Sequence, residues 1–175
     1  ERPARGEVAA VFAGAGAAYP GMGRDLLLAH PELGEQLKAR FQGLEAALGW
    51  ALDGRAASSA PALLWGASAL SQLHAELSLG WLGLRPQAGI GYSSGESNAL
   101  FALGVWRDLD AMVEDAHASG LFTEALAGPF RAVQRAWGIS SPVAWGLWVV
   151  AAPVEAVAAA LAEAPRVHLA IVPTD

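Results

Sequence analysis

Cysteine is absent from this 175-residue chain. Without thiols the protein has no disulfide, no thiolate metal site and no cysteine nucleophile, which fits the reducing cytoplasm. Lysine and arginine form no stripe and the formal net charge is −6, so we expect no nucleic-acid partner. Residues 1–7 lack the apolar region of a signal peptide. No motif indicates a metal or a cofactor, and we expect a cytoplasmic protein that uses neither.

Two long apolar stretches, 60–83 and 143–161, could be mistaken for membrane spans. The first is interrupted by polar residues such as Gln72 and Glu76, and the second by Pro153. Hydrophobic residues make up 54% of the chain, which is enough to bury a sizeable core. We therefore interpret both stretches as core-facing segments of a soluble protein, and we expect no membrane partner.

Residues 91–95 read Gly-Tyr-Ser-Ser-Gly, a G-x-S-x-G pentapeptide with Ser93 at its centre. Glycines two residues before and after a serine let a strand turn sharply into a helix while the hydroxyl stands at the tip. The flanks fit, because 87–92 is predicted to be a short strand and 96–103 a helix. We expect Ser93 to be a nucleophile on a strained turn. The alternative is an ordinary Gly/Ser-rich turn in an α/β domain.

Strand and helix patterns alternate along the chain, which predicts an α/β fold with a parallel sheet. The first strand is predicted at 8–13 and is followed by a glycine-rich loop. Helices are predicted at 24–30, 31–48, 60–82, 108–118 and 123–137. After Pro142 a strand–helix–strand unit, at 143–152, 153–164 and 166–173, begins a smaller subdomain. The predicted division is therefore a large α/β subdomain, 1–141, and the first half of a small one, 142–175.

Three stretches in this order resemble the motifs of one enzyme family. Residues 12–23 (FAGAGAAYPGMG) stand where the family has F-x-G-Q-G-x-Q…G-M-G, residues 60–64 (APALL) where it has Q-P-A-L-F, and residues 91–96 (GYSSGE) where it has G-H-S-x-G-E. The chain resembles the N-terminal half of an acyltransferase domain of the malonyl-CoA:acyl-carrier-protein transacylase type, as found in polyketide and polyunsaturated-fatty-acid synthases. The resemblance implies an α/β-hydrolase-like core with a parallel sheet, followed by the truncated start of a ferredoxin-like small subdomain.

The activity that this resemblance implies is transfer of an acyl group from coenzyme A to an acyl carrier protein through an ester on Ser93. It also implies an oxyanion hole made of two backbone amides, those of Ser94 and Ala15. Three further residues are expected at the substrate site: Gly14, Gly16 and Tyr92. The implied partners are an acyl-CoA donor, an acyl carrier protein and the other domains of a megasynthase.

The glycine-rich loop at 14–23 could instead be a tight turn without a function. It is not a dinucleotide-binding fingerprint, because Tyr19 stands where the third glycine of G-x-G-x-x-G is required.

Ala15 replaces the glutamine of the family's G-Q-G, which leaves a backbone donor in place. Two other departures from the family pattern bear on the function. Tyr92 replaces the histidine before the nucleophile. The arginine that grips the free carboxylate of malonyl donors is missing from the region after the elbow, where Glu114 and Asp115 stand. His117 lies near the position of that arginine and is a further substrate-binding candidate. We therefore expect no strong preference for malonyl donors over monoacyl donors.

The histidine that activates the serine in this family lies downstream of the small subdomain, so the resemblance places it beyond residue 175. We therefore expect a fragment that is inactive alone. Of the histidines present, His30 is predicted to cap a helix, and His74 and His168 are predicted to be structural.

Two other functions stay open. One is an unrelated serine hydrolase of α/β-hydrolase or patatin type, which would need an acid and a base in this chain or just after it. The other is a non-catalytic acyltransferase-like docking module of a megasynthase, which the missing arginine favours. A loop at 14–23 that faces the elbow would favour the acyltransferase over the hydrolases. Uptake of an acyl group on Ser93 would exclude the docking module.

Overall fold

The fold contains a parallel pair of short strands. The computed structural model describes residues 6–172. Strand β1 (Ala9–Phe12) and strand β2 (Ala88–Gly91) are paired in register along their whole length. Parallel neighbours need a long crossover connection, and here helices supply it. The predicted α/β fold with a parallel sheet is confirmed.

Four helices connect the two strands: α1 (Arg24–Ala29), α2 (Pro31–Lys38), α3 (Leu44–Leu52) and α4 (Ala60–Ala75). The last of them continues as a π-helical turn, Glu76–Trp81. Local sequence explains two of the starts. Pro31 occupies the first turn of α2, where its missing N–H is not needed. The Ser59 side chain caps α4 by accepting a hydrogen bond from the Ala62 backbone N–H at 3.2 Å.

The prediction of one helix at 31–48 is wrong, because the chain turns between α2 and α3. Phe41 lies in that turn and is only 2% exposed. The Asp110 carboxylate accepts hydrogen bonds from the backbone N–H groups of Gln42 and Gly43, at 2.8 and 3.0 Å. Burial of the Phe41 ring and these long-range hydrogen bonds outweigh the local preference for a continuous helix.

The hydrophobic core lies mainly among the helices. Its most buried members come from α2, α3 and α4, and they include Leu33, Leu37, Leu48, Leu70 and Leu73. The strands contribute less, since β1 alternates between exposed and half-buried residues. The core therefore fixes α4, and α4 packs against the first helix after β2.

Three helices and a π-helical turn follow β2: α5 (Ser94–Ala102), α6 (Leu109–Ala118), the turn Leu121–Ala125 and α7 (Arg131–Trp137). The predicted helices at 96–103 and 108–118 are thereby confirmed to within two residues. The single helix predicted at 123–137 is wrong. Gly128 has a left-handed φ of 55° and Pro129 follows it, so a helix cannot run through this point.

The strand–helix–strand unit predicted after Pro142 is also wrong in the part of the chain that the structure describes. Helix α8 (Val154–Leu161) forms, but residues 143–152 and 166–172 form no strand, and residue 173 lies outside the described range. Val149, for example, is 98% exposed. An extended segment becomes a strand only when a neighbour pairs with its backbone, and here neither segment has one. The division at 141/142 stays a prediction.

Candidate active site

Ser93 occupies a strained turn between β2 and α5. Its backbone has φ 57° and ψ −131°, a left-handed conformation that residues other than glycine rarely adopt. The turn is closed by hydrogen bonds from the Gly95 N–H to the Tyr92 carbonyl at 2.9 Å and from the Glu96 N–H to the Ser93 carbonyl at 3.0 Å. The residue is exposed. The predicted strained turn is therefore confirmed, and it presents the Ser93 hydroxyl to the outside.

The two glycines of the pentapeptide are required by close backbone approaches. A Cβ on Gly91 would lie 2.2 Å from the Gly95 carbonyl oxygen, inside the turn itself. A Cβ on Gly95 would lie 2.2 Å from the Phe12 carbonyl oxygen, at the end of β1. The first glycine permits the tight turn, and the second lets α5 approach β1.

The glycine-rich loop after β1 lies against the beginning of α5. The Ala15 backbone N–H donates to the Ser94 hydroxyl oxygen at 2.9 Å. A Cβ on Gly14 would lie 3.1 Å from that same oxygen and 3.2 Å from the Tyr92 carbonyl oxygen. This juxtaposition follows from the sheet, because the carboxyl ends of parallel neighbours meet at one edge. The Gly14–Ala15 part of the loop therefore faces the elbow.

Two buried side-chain amides, those of Asn98 and Gln72, hold the glycine-rich loop against α5 and α5 against α4. Asn98, on α5, is 1% exposed, and its side-chain Nδ2 donates to the Ala13 carbonyl at 3.1 Å. Gln72, on α4, donates from Nε2 to the Asn98 carbonyl at 3.0 Å. The loop is thus fastened to α5 at two points, Asn98–Ala13 and Ser94–Ala15, and α5 is fastened to the core helix.

Most of the predicted site residues come together, and one does not. Ser93, Ser94, Tyr92, Gly14 and Ala15 meet at the elbow, and Gly16 lies in the 3₁₀ turn Ala15–Ala17 next to it. Tyr92 is 71% exposed, so its side chain is available to a ligand. The roles of these residues stay predictions.

His117 lies elsewhere, at the end of α6. Its ring packs on Trp65 with 6.2 Å between centroids. It lines a cavity of about 590 Å³ together with Asp108, Asp110 and Glu114, and neither Ser93 nor the Gly14–Ala15 loop belongs to that lining. The geometry gives no support to a contact between His117 and a substrate on Ser93.

A second cavity, of about 330 Å³, runs along β1 and one side of α4. Its lining is mostly apolar and includes Val8, Val11 and Ala75. His74 also lines it, and partial burial of the ring lowers the pKa of His74 below its usual 6.5.

We expect the free energy of unfolding to fall as the pH drops below about 6.5, because the unfolded chain then binds a proton that the folded His74 does not. The effect is small, about a few tenths of a kcal/mol, since the residue keeps much of its exposure. Urea unfolding at about pH 7.5 and about pH 5.5 measures it, and in His74→Gln this contribution should vanish. An identical pH dependence in both proteins would contradict the assignment.

The sequence analysis missed Asn98 and Gln72 as supporting residues. Each is a polar side chain within a mostly apolar helical stretch, at positions that the structure buries. A buried side-chain amide needs a hydrogen-bond partner, so an amide among apolar helical residues was the feature of the sequence that could have indicated a supporting role. The partners themselves, Ala13 and Asn98, lie 85 and 26 residues away, and no local pattern identifies them.

Comparisons with protein-family models, with curated proteins and with solved structures found no match to this chain. Within residues 6–172, no three His, Asp or Glu side chains are grouped so that they could hold a metal ion. In the same range, no helix has both the length and the apolar character needed to cross a membrane.

Proposed function

We propose that this chain accepts an acyl group from an acyl-CoA thioester as an ester on Ser93 and passes it to the thiol of an acyl carrier protein. The observation that carries the proposal is the strained turn at Ser93 with the Gly14–Ala15 loop against it. A serine with left-handed φ between a strand and a helix is the arrangement of a nucleophile elbow. A loop that brings a second backbone amide to the same place favours acyl transfer.

The reaction consists of two acyl transfers. In the first, the Ser93 oxygen attacks the thioester carbonyl carbon, the carbon–sulfur bond breaks, and coenzyme A leaves as the thiol with the proton that Ser93 gave up. In the second, the carrier-protein thiol attacks the ester carbonyl, its proton returns to Ser93, and the acyl group leaves on sulfur.

The proton acceptor for Ser93 is not assigned to any of the four histidines. His30 packs on Trp81, His74 lines the cavity along β1, His117 packs on Trp65, and His168 is exposed in a segment without regular secondary structure. The resemblance to the transacylase family assigns this role to a histidine downstream of residue 175. These placements also favour the second candidate, a non-catalytic docking module with the same fold.

The donor is proposed to be a monoacyl thioester. A malonyl carboxylate loses hydration when it enters a site, and a bidentate arginine is the usual compensation. The side chains that follow the elbow helix are acidic where the family has that arginine: Glu114 and Asp115. Glu114 lines the cavity of His117 and not the elbow. The described residues that meet at the elbow, which are Ser93, Ser94, Tyr92, Gly14 and Ala15, offer no cation to a free carboxylate on the donor.

Intact-protein mass spectrometry after incubation with acetyl-CoA and malonyl-CoA tests the proposal. The wild-type chain, extended by the residues that follow it in its gene, should gain one acyl group on Ser93, with the two donors within about tenfold of each other. Ser93→Ala should gain none. Ser97→Ala, a serine to alanine change on the same helix, is the matched control and should be acylated normally.

Three results would count against the proposal. Absence of any Ser93 ester favours the docking module. An ester that forms but is released to water faster than to a carrier-protein thiol favours a serine hydrolase. A malonyl preference of about a hundredfold would show that a cation from elsewhere reaches the site, since each tenfold corresponds to about 1.4 kcal/mol.

A further inference from the structure

The Ser94 hydroxyl lies where the Gly14–Ala15 loop meets the turn at Ser93. Its oxygen accepts the Ala15 N–H at 2.9 Å, and the residue follows Ser93 directly. A serine hydroxyl has one proton to donate and two lone pairs that can accept. Among residues 6–172 the Ser94 hydroxyl accepts this hydrogen bond, and the structure shows none that it donates. The residue next to the nucleophile in the chain therefore has a hydroxyl proton that it can still donate.

The Ala15 N–H, by contrast, is already used. Donors that stabilise an oxyanion act at about 2.7–3.1 Å from it, and the oxygen at this distance from the Ala15 nitrogen is the Ser94 hydroxyl. An oxyanion that accepted a hydrogen bond directly from the Ala15 N–H would have to displace the Ser94 hydroxyl. An oxyanion that accepts the hydroxyl proton leaves the existing hydrogen bond intact.

We propose that the Ser94 side chain is a catalytic residue that donates its hydroxyl hydrogen bond to the oxyanion formed on the acyl carbon at Ser93. This inference rests on the proposed function, and it revises the assignment of the Ala15 amide as a direct donor. The Ala15 N–H holds the hydroxyl in place and polarises it, because an oxygen that accepts a hydrogen bond becomes a better donor. The Ser94 backbone N–H remains the second donor.

The loop geometry is consistent with a fixed hydroxyl. A Cβ on Gly14 would stand 3.1 Å from the Ser94 oxygen, so a side chain there would crowd it. Asn98 holds the preceding carbonyl, that of Ala13, at 3.1 Å. The Asn98 hydrogen bond holds the loop beside α5, where the Ala15 N–H donates to the Ser94 hydroxyl.

The same hydrogen bond could have the opposite role, that of a placeholder. The Ser94 hydroxyl would then occupy the oxyanion position in the resting protein and would have to move away before the reaction. The two roles predict opposite signs. Removing a donor slows acylation of Ser93, and removing a placeholder speeds it. Ser94→Ala therefore distinguishes them.

The experiment compares the wild type, Ser94→Ala and Ser94→Thr for the rate of Ser93 ester formation from acetyl-CoA, on the gene-extended chain. We expect Ser94→Ala to be about tenfold to a hundredfold slower, because a lost oxyanion donor has an effect of this order or larger. Ser94→Thr keeps the hydroxyl and should form the Ser93 ester at close to the wild-type rate. Binding of a trifluoromethyl ketone, which forms a tetrahedral adduct with a serine, should weaken by a similar factor in Ser94→Ala.

Acetyl-CoA binding to Ser93→Ala should be unaffected by adding Ser94→Ala, because the ground-state thioester carries no oxyanion. A rate in Ser94→Ala equal to or above that of the wild type overturns the inference while the proposed function stands. If the wild type forms no Ser93 ester, the proposed function fails, and this inference with it. Should Ser94→Ala not fold, Ser94→Cys provides the test, since its weak S–H donor predicts an intermediate rate.

Discussion

Gly95→Ala should destabilise the protein by about 3 kcal/mol or more, a large fraction of the about 5–15 kcal/mol by which a typical domain is stable. The added Cβ would lie 2.2 Å from the Phe12 carbonyl oxygen, 3.1 Å from the Phe12 carbonyl carbon and 3.2 Å from the Ala13 carbonyl carbon. All three are backbone atoms, so no side chain can rotate away. Relief requires α5 to move off the end of β1, which also separates Ser94 from Ala15.

The matched control is Gly49→Ala. Gly49 lies inside α3, and a Cβ there would have no atom within 4 Å. Alanine is the better helix former by about 1 kcal/mol, so this variant should be as stable as the wild type or more so. Urea unfolding of the three proteins measures the difference. A Gly95→Ala protein as stable as the wild type would show that α5 and β1 do not approach as closely as described.

The elbow could be predicted because its determinants are local. Gly91, Ser93 and Gly95 lie within five residues, and their spacing alone specifies a turn that side chains would block. The same holds for α4 and α6, whose starts are marked by the capping residues Ser59 and Asp108. Local chemistry determines these features, so the sequence suffices.

The failures have a common cause, which is dependence on partners far away in the chain. The turn at Phe41 is stabilised by Asp110, which lies 67 residues from Gly43. Residues 143–152 and 166–172 have the apolar, β-branched character of strands, yet strands form only against a neighbour. Propensity predicts what a segment can form, and tertiary contacts decide whether it does.

The same dependence limited the prediction of the site. The resemblance assigned the Ala15 and Ser94 amides, but the hydrogen bond from Ala15 to the Ser94 hydroxyl spans 79 residues and is visible only in three dimensions. His117 was predicted at the substrate site because it lies near the position of the arginine that the family has after the elbow. In space α6 carries it to Trp65 instead.

Asn98→Asp is expected to destabilise the protein by about 3 kcal/mol or more at neutral pH, and to slow acylation of Ser93. The two side chains have nearly the same size, so packing is preserved. The aspartate, however, lacks the NH₂ group that donates to the Ala13 carbonyl, and it puts a charge where the residue is 1% exposed. The substitution leaves the Ala13 carbonyl without its donor and buries a charge without a partner, and such changes are among the most destabilising single substitutions.

This loss should depend on pH with a definite sign. Burial raises the pKa of the introduced carboxyl above its ordinary value of about 3.9. Between that value and the raised one, the folded variant holds a proton that the unfolded chain has released, so its stability falls as the pH rises, by up to about 1.4 kcal/mol per pH unit. Towards about pH 4 the protonated acid can donate to the Ala13 carbonyl, and much of the stability should return.

Urea unfolding from about pH 4 to about pH 7 tests this dependence, with Gln36→Glu as the matched amide-to-acid control. Gln36 is exposed, and its side-chain oxygen accepts from the Trp81 Nε1 at 3.0 Å, which a carboxylate can also do. That variant should stay close to the wild type throughout. A deficit in Asn98→Asp that does not change with pH would mean that the carboxyl reaches water, and that Asn98 does not fasten the loop from a buried position. A deficit that grows with pH, together with slower acylation of Ser93, would link the buried amide to the site that it supports.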